Sequence, residues 1–124
     1  MTKAGGRVKS ELPGGDPALM NRIAWARRWT DRTTSTEYAI SALQTAKGGQ
    51  GRRSRKEQGY AMRTLAWHAR WRGEFDASFE YSLKAESFLS EAENPVTRAS
   101  VYATLGMVQF VRSRLDLGMC AIDR

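Results

Sequence analysis

The sequence predicts an all-α protein, and three observations support that prediction. Apolar and small residues recur at helical spacing, and no stretch of the sequence shows the alternating pattern of a strand. An Asp-Pro pair at 16–17 is typical of a helix start, and a Gly-Gly pair at 48–49 is typical of a helix end. The pentapeptides WARRW at 25–29 and WHARW at 67–71 lie 42 residues apart and hold all four tryptophans. Such a near-copy indicates that one structural unit is used more than once.

Six helices in three antiparallel pairs follow from these signals. They are predicted at 17–30, 37–47, 60–72, 76–91, 97–112 and from Leu115 to the end. The polar interval 31–36 should separate the first two helices, and the Gly-punctuated basic segment 48–59 is predicted as a linker, part of which could join the next helix. Residues 1–15 are predicted as a flexible polar leader, and 16–124 as one domain with hairpins at about 17–47, 60–91 and 97–124. Because the last helix is short and uncovered, we expect a chain truncated at its C-terminus.

Length, cysteine content and charge limit the function classes. A chain of 124 residues suits one domain, and it has no apolar run of about 18 residues that could span a membrane. The single Cys120 cannot form an internal disulfide, which favours a reducing compartment and predicts a cytoplasmic protein. Residues 1–72 hold 15 Lys and Arg against 5 Asp and Glu, whereas residues 73–124 hold 5 against 8. This asymmetry favours an anionic partner for the N-terminal part.

The stretch from Leu65 to Ala85, LAWHARWRGEFDASFEYSLKA, resembles a tetratricopeptide repeat. The likeness is carried by Leu65, Ala66, Gly73, Phe75, Ser78 and Ala85. Similar positions later in the chain are Leu105, Gly106, Leu115 and Gly118, and in the first hairpin Ile23, Ser35 and Ala42. The resemblance covers about 17–124. The sequence after residue 84 also resembles the repeat regions that precede output domains in bacterial signalling proteins such as diguanylate cyclases.

The resemblance implies a short right-handed solenoid of three stacked αα-hairpins. Proteins of this family bind another protein or a peptide on a concave face and act as scaffolds or regulatory regions, here in signal transduction. The resemblance therefore implies a binding module with no catalytic activity and no cofactor. An exposed last hairpin would also permit self-association.

The predicted helix at 60–73 has two apolar faces when it is drawn at about 100° per residue. One face holds small and aliphatic residues, namely Met62, Leu65, Ala66, Ala69 and Gly73. The other holds Tyr60, Thr64, Trp67 and Trp71, with Arg63 and Arg70 at the seam. Since the resemblance places the first helix of each pair along the groove, the predicted groove residues are Trp25, Arg28, Trp29, Tyr60, Arg63, Trp67, Arg70, Trp71, Met107 and Phe110. Trp and Arg together suit a peptide with acidic groups.

Two alternatives stay open at this point. The tryptophans could instead pack between adjacent first helices and fill the groove themselves. A basic cluster, predicted in a loop, could bind an anion or nucleic acid, or could be a solvated loop. Its members are Arg52, Arg53, Arg55 and Lys56.

The sequence contains no recognisable catalytic or metal-binding constellation. His68 is the only His and has no Cys or carboxylate at ligand spacing, so it is predicted as an ordinary helix residue. Cys120 has no basic motif to activate it and is predicted as a small packed residue. A Gly-rich phosphate loop and a nucleophile elbow are both missing. We therefore predict a protein without enzymatic activity, metal or cofactor.

Overall fold

The computed structural model describes residues 15–89 and 95–123, except for the side chains of Thr97 and of residues 115–123. This part of the chain consists of helices joined by short turns, with no strand, so the all-α prediction is confirmed for it. The helices are α1 (Pro17–Ala26), α2 (Arg32–Lys47), α3 (Gly51–Trp71), α4 (Phe75–Leu89) and α5 (Pro95–Asp123). The predicted leader lies outside the described residues apart from Gly15.

Aspartate caps define the first two helix starts. The Asp16 side chain accepts a hydrogen bond of 3.2 Å from the backbone N–H of Leu19, as the sequence predicts. Asp31 accepts in the same way from the N–H of Thr34, at 3.1 Å, so α2 begins at Arg32. The prediction that 31–36 is a polar break is therefore wrong, because a capping Asp31 starts the helix at Arg32, five residues before the predicted start at residue 37.

The basic segment 48–59 is also mostly helical, which corrects its prediction as a linker. Helix α3 begins at Gly51, where φ is +92°, and runs for 21 residues. Arg, Lys, Glu and Gln dominate its first two turns, and all four are good helix formers. The charged and polar composition of this segment is therefore compatible with a linker and also with an exposed first part of α3, before its buried residues begin at Glu57.

The third predicted hairpin is a single helix. The predicted helices 97–112 and from Leu115 form one continuous α5 of 29 residues. Neither Ser113 nor Arg114 is a strong helix breaker, so nothing local stops the helix between them. The described chain therefore has two helix pairs followed by one long helix, and the predicted arrangement of three hairpins is not confirmed.

The two helix pairs share one set of contacts. The Ser35 hydroxyl donates to the carbonyl of Ala24 at 2.6 Å, and the Ser78 hydroxyl donates to the carbonyl of Ala66 at 2.7 Å. The buried residues of α2 and α4 match at a constant separation of 43 positions: Ser35, Ala39, Ala42 and Ala46 against Ser78, Ser82, Ala85 and Leu89. Small residues and a buried hydroxyl thus bring the second helix of each pair close to the first.

Helix α3 is the centre of the fold, because it packs against each of the other four helices. Its residues from Glu57 to Ala69 are almost all buried. The tightest approach is at Gly59, where a Cβ atom would lie 2.6 Å from Cγ of Leu89 on α4. Helix α1 lies beside α3 as well as α2, and the surface that α1 and α3 share holds the candidate site.

Candidate ligand-binding site

The groove residues predicted from the first two pairs meet on one surface, which we call the α1–α3 face. Trp25 is in α1, Arg28 and Trp29 follow it in a turn, and the others lie on α3. The face is formed by Arg22, Trp25, Arg28, Trp29, Tyr60, Arg63, Trp67, Arg70 and Trp71. Met107 and Phe110 lie on α5 and are exposed, and neither lines the cleft between α1 and α3.

Three of the four tryptophans pack on one another across the face. The Trp29 ring lies edge-on to the rings of Trp67 and Trp71, with centroids 4.9 and 5.6 Å apart. Trp67 is only 4% exposed, whereas Trp29 is 58% and Trp71 46% exposed. The structure therefore contains the inter-helix packing that the sequence left open, but two rings still reach the surface. We call Trp29 and Trp71 the aromatic ledge.

Trp25 is contacted by two guanidinium groups. The Cζ atoms of Arg28 and Arg63 lie 3.7 and 3.8 Å from the centre of its ring. Nη1 of Arg28 also donates to the Trp25 carbonyl at 2.6 Å. A cation over an indole ring contributes about 0.5–2 kcal/mol, depending on its desolvation. The ring thereby holds both cations in fixed orientations.

These two cations have no counter-ion within the described part of the chain. Neither Arg28 nor Arg63 forms an ion pair with a carboxylate there, and the buried Nε of each has no hydrogen-bond partner. Nη1 of Arg63 donates to the Ser100 hydroxyl on α5 at 3.3 Å. Burial lowers the pKa of Arg63 to about 10, and the Arg28 charge acts in the same direction. Arg63 remains charged at neutral pH, so its charge is available to an anion.

A cleft of about 410 Å³ opens beside this pair, and we call it the α1–α3 cleft. It is lined by Ala18, Asn21, Arg22, Trp25, Ala26, Glu57, Tyr60 and Arg63. Nδ2 of the buried Asn21 donates to the carbonyl oxygen and to Oε1 of Glu57, both at 2.9 Å. The Glu57 carboxylate is thus engaged by α1, and Oδ1 of Asn21 has no partner.

The predicted site omits five lining residues of this cleft: Ala18, Asn21, Arg22, Ala26 and Glu57. Glu57 falls in the segment predicted as a linker, so its helical position could not be used. If the helical spacing of α3 is extended back to Gly51, Glu57 lies one turn before Tyr60 and Ala61, on the same side of the helix as Tyr60. The signal that could identify Glu57 is therefore the helix-forming composition of 51–59.

The predicted basic cluster is on the first turns of α3. Arg52, Arg53, Arg55 and Lys56 are all exposed. No side chain caps this helix start and no acidic residue is in its first turn, so the positive end of the helix dipole adds to these charges. The cluster is therefore part of a helix, in contrast to the loop expected from the sequence.

His68 is a buried residue of α3. It is 2% exposed, and its Nε2 lies 2.8 Å from the Ser35 hydroxyl. Because that hydroxyl donates its proton to the Ala24 carbonyl, Nε2 must be the donor to Ser35. Burial lowers the pKa of His68 to about 4, and the charges of Arg72, Arg32 and Arg28 contribute. The Ser35–His68 pair is a structural link and not a nucleophile, since Ser35 is fully buried.

The described segments were also searched for metal-binding groups and for membrane-spanning helices. They contain no group of three or more His, Cys, Asp or Glu residues that could hold a metal ion. The Cys120 side chain is outside the described residues. No helix among those described is both long and apolar enough to cross a membrane. In comparisons with known proteins, no family model, curated protein or solved structure matches this chain.

Proposed function

We propose that this chain is a non-catalytic helical-repeat module that binds another protein, or a peptide, on its α1–α3 face. The observation that carries the proposal is the pair Arg28 and Arg63, stacked on Trp25 beside an open cleft and without a carboxylate partner among the described residues. Guanidinium groups held in place by an aromatic ring favour bidentate contacts with carboxylates. An acidic group on a partner would supply the missing counter-charge.

The rest of the face has the composition of a binding hot spot. Trp, Tyr and Arg are the residues that most often dominate binding energy at protein interfaces. The aromatic ledge offers apolar area at low entropic cost, because Trp29 and Trp71 already pack against Trp67 and against each other. The excess of Lys and Arg over residues 1–72 would also speed the encounter with an acidic partner.

The matched contacts of the two helix pairs support the helical-repeat part of the proposal. Ser35 and Ser78, which the likeness to tetratricopeptide repeats assigns to small positions of the second helices, make equivalent hydrogen bonds. In this proposal α5 is the first helix of a third unit. The module would act as a scaffold or as a regulatory region of a bacterial signalling protein in the reducing cytoplasm.

Peptide selection tests the proposal. A random 12-residue phage library is selected on the immobilised protein, and the affinity of enriched peptides is measured by fluorescence anisotropy. We expect Arg63→Gln and Arg28→Gln to weaken binding about tenfold or more, because a charge-assisted hydrogen bond contributes about 1.5–3 kcal/mol. Arg112→Gln is the matched control, since Arg112 pairs with Asp76 away from the face. Equal affinities for all three variants, with circular dichroism unchanged, would contradict the proposal.

A second candidate function, binding of an anion or nucleic acid, is favoured by the uncapped basic start of α3. Four cations and a free helix N-terminus could contact several phosphates. If this is the function, a single-stranded oligonucleotide binds with an affinity that falls steeply between 50 and about 200 mM salt. Replacing Arg52, Arg53, Arg55 and Lys56 by Gln would then abolish binding while the α1–α3 face variants would retain it.

A further inference from the structure

We infer that the α1–α3 cleft recognises a short linear motif in which an apolar side chain stands next to a carboxylate. The apolar side chain enters the cleft, and the carboxylate binds Arg63 and Arg22 at its edge. This inference rests on the proposed function and adds the chemistry of the motif and the place where it binds.

The size and walls of the cleft select the apolar part. A volume of about 410 Å³ is within the range of ligand pockets, about 300–1,000 Å³. The aromatic rings of Trp25 and Tyr60 form two walls, and Ala18 and Ala26 leave space between them. Such walls favour a large aliphatic or aromatic side chain, whose burial contributes about 1.5–3 kcal/mol.

The cations at the cleft select the acidic part. Glu57 is the one carboxylate in the lining, and its Oε1 accepts from Asn21. Glu57 forms no ion pair with either arginine, so both guanidinium groups can receive a carboxylate from a ligand. Arg63 is already oriented by Trp25, with its Cζ at 3.8 Å from the ring centre. Little side-chain entropy is therefore lost when it binds.

The same arrangement disfavours a phosphate group. The Glu57 carboxylate lies in the cleft lining, so an incoming anion is repelled by it as well as attracted by the arginines. The lining holds two arginines and one carboxylate, a net charge of +1, which a single carboxylate from the ligand neutralises. A phosphate carries a charge of about −1.5 to −2 at neutral pH, so it would leave excess negative charge in the cleft and costs more to desolvate. A carboxylate on a side chain and one at a peptide C-terminus share the required chemistry.

A panel of fluorescein-labelled octapeptides tests the inference. Each peptide has the form Gly-Ser-Gly-X-Z-Gly-Ser-Gly with an amidated C-terminus, where X is Leu, Phe or Ala and Z is Glu, Gln or phosphoserine. A second arm ends at X with a free carboxylate, which separates a terminal from a side-chain source. We expect Phe or Leu with Glu, or with the free terminus, to bind at least about tenfold more tightly than the Gln or Ala peptides. Preference for phosphoserine, or for an eight-residue oligothymidine, would overturn the inference.

Two variants locate the site and separate the inference from the proposed function. Ala26→Trp fills the cleft from an exposed position at the end of α1, and we expect it to lower affinity about tenfold or more with unchanged circular dichroism. Trp71→Ala removes half of the aromatic ledge, and we expect it to lower affinity less than Ala26→Trp does, because the motif binds in the cleft. If Trp71→Ala abolishes binding and Ala26→Trp does not, the proposed function stands and the cleft assignment fails. If neither the panel nor any library peptide binds the folded protein, both fail.

Discussion

The two helix pairs, α1–α2 and α3–α4, have matching buried positions, but the side chains at one of these positions differ in size. Position 46 on α2 is Ala, whereas the matching position 89 on α4 is Leu. The larger side chain is accommodated because α3 has Gly59 opposite it, where any Cβ would come within 2.6 Å of the Leu89 side chain. Matching positions of the two pairs thus hold different volumes, a small Ala46 in one pair and a large Leu89 packed against a glycine in the other.

The pairs also differ in what surrounds their tryptophans. Trp25 is half-buried and contacted by two guanidinium groups, whereas Trp67 is buried beneath Trp29. These rings occupy equivalent positions, 42 residues apart. The matching geometry of the two helix pairs puts both rings at equivalent positions. The residues around each ring then differ, so Trp25 is contacted by cations and Trp67 by another aromatic ring.

Truncating Leu89 should have the largest effect on stability. Leu89→Ala removes a side chain that is 1% exposed and leaves a cavity against Gly59. We expect the free energy of unfolding to fall by about 3 kcal/mol. Ala46→Gly at the matching position of α2 is the control and should cost about 1 kcal/mol, the difference in helix propensity. Urea unfolding followed by circular dichroism measures both, and equal losses would contradict the unequal filling.

The effect of Gly59→Ala on the free energy of unfolding should have opposite signs in the wild type and in the Leu89→Ala variant. In the wild type, Gly59→Ala forces a Cβ against Leu89, and we expect a loss of about 1–3 kcal/mol. In Leu89→Ala the two contacts with Leu89 are removed, and only Cβ of Phe88, at 3.0 Å, has to shift slightly. The same change should then stabilise α3 by about 0.5 kcal/mol through helix propensity. A double-mutant cycle from urea unfolding gives the coupling energy, and a coupling near zero would show that the two helices are not as close as described.

Acid should destabilise the fold through His68. Its folded-state pKa of about 4 is below the ordinary value of 6.5, so the neutral form is favoured in the folded protein. The stability that this provides is present above pH 6.5 and is lost as the pH falls towards 4, by about 2–3 kcal/mol. His68→Gln keeps a donor for Ser35 but does not titrate there. The difference between the two unfolding curves from pH 7 to 4 isolates the effect, and parallel curves would contradict it.

Replacing Ser35 by Ala should cost more stability than replacing Ser78, although both hydroxyl groups donate an equivalent hydrogen bond to a backbone carbonyl. Ser78→Ala removes one hydrogen bond, to the Ala66 carbonyl, and should cost about 1 kcal/mol. Ser35→Ala also leaves the buried Nε2–H of His68 without an acceptor and should cost about 1 kcal/mol more. Thermal unfolding at pH 7 measures the difference. A cost for Ser78→Ala that equals or exceeds that for Ser35→Ala would argue against the His68–Ser35 link.

Local signals predict several of these features because they act within a few residues. The Asp16 cap, the helix end at Gly48 and the likeness of the two tryptophan pairs can all be read from short stretches. The position of Arg63 at the seam of α3 likewise follows from helical spacing alone. These features lead directly to the α1–α3 face.

Other features depend on contacts between distant residues and could not be derived in this way. The cleft needs Asn21 and Glu57 to meet across 36 positions of sequence, which no local pattern shows. The prediction of a break near residue 113 depends on a third helix pair like the first two, whereas no helix breaker separates 112 from 115. The likeness of the first two pairs therefore predicts their equivalent positions, but it does not predict the course of the chain after them.

Binding of a partner on the α1–α3 face should be visible by fluorine NMR of the protein labelled with 5-fluorotryptophan. Four resonances are expected, each assigned by a single Trp→Phe substitution. When the tightest-binding octapeptide is added, we expect the largest shift at Trp25, smaller shifts at Trp29 and Trp71, and the least change at the buried Trp67. Binding that leaves all four resonances in place would show that the partner binds elsewhere on the protein.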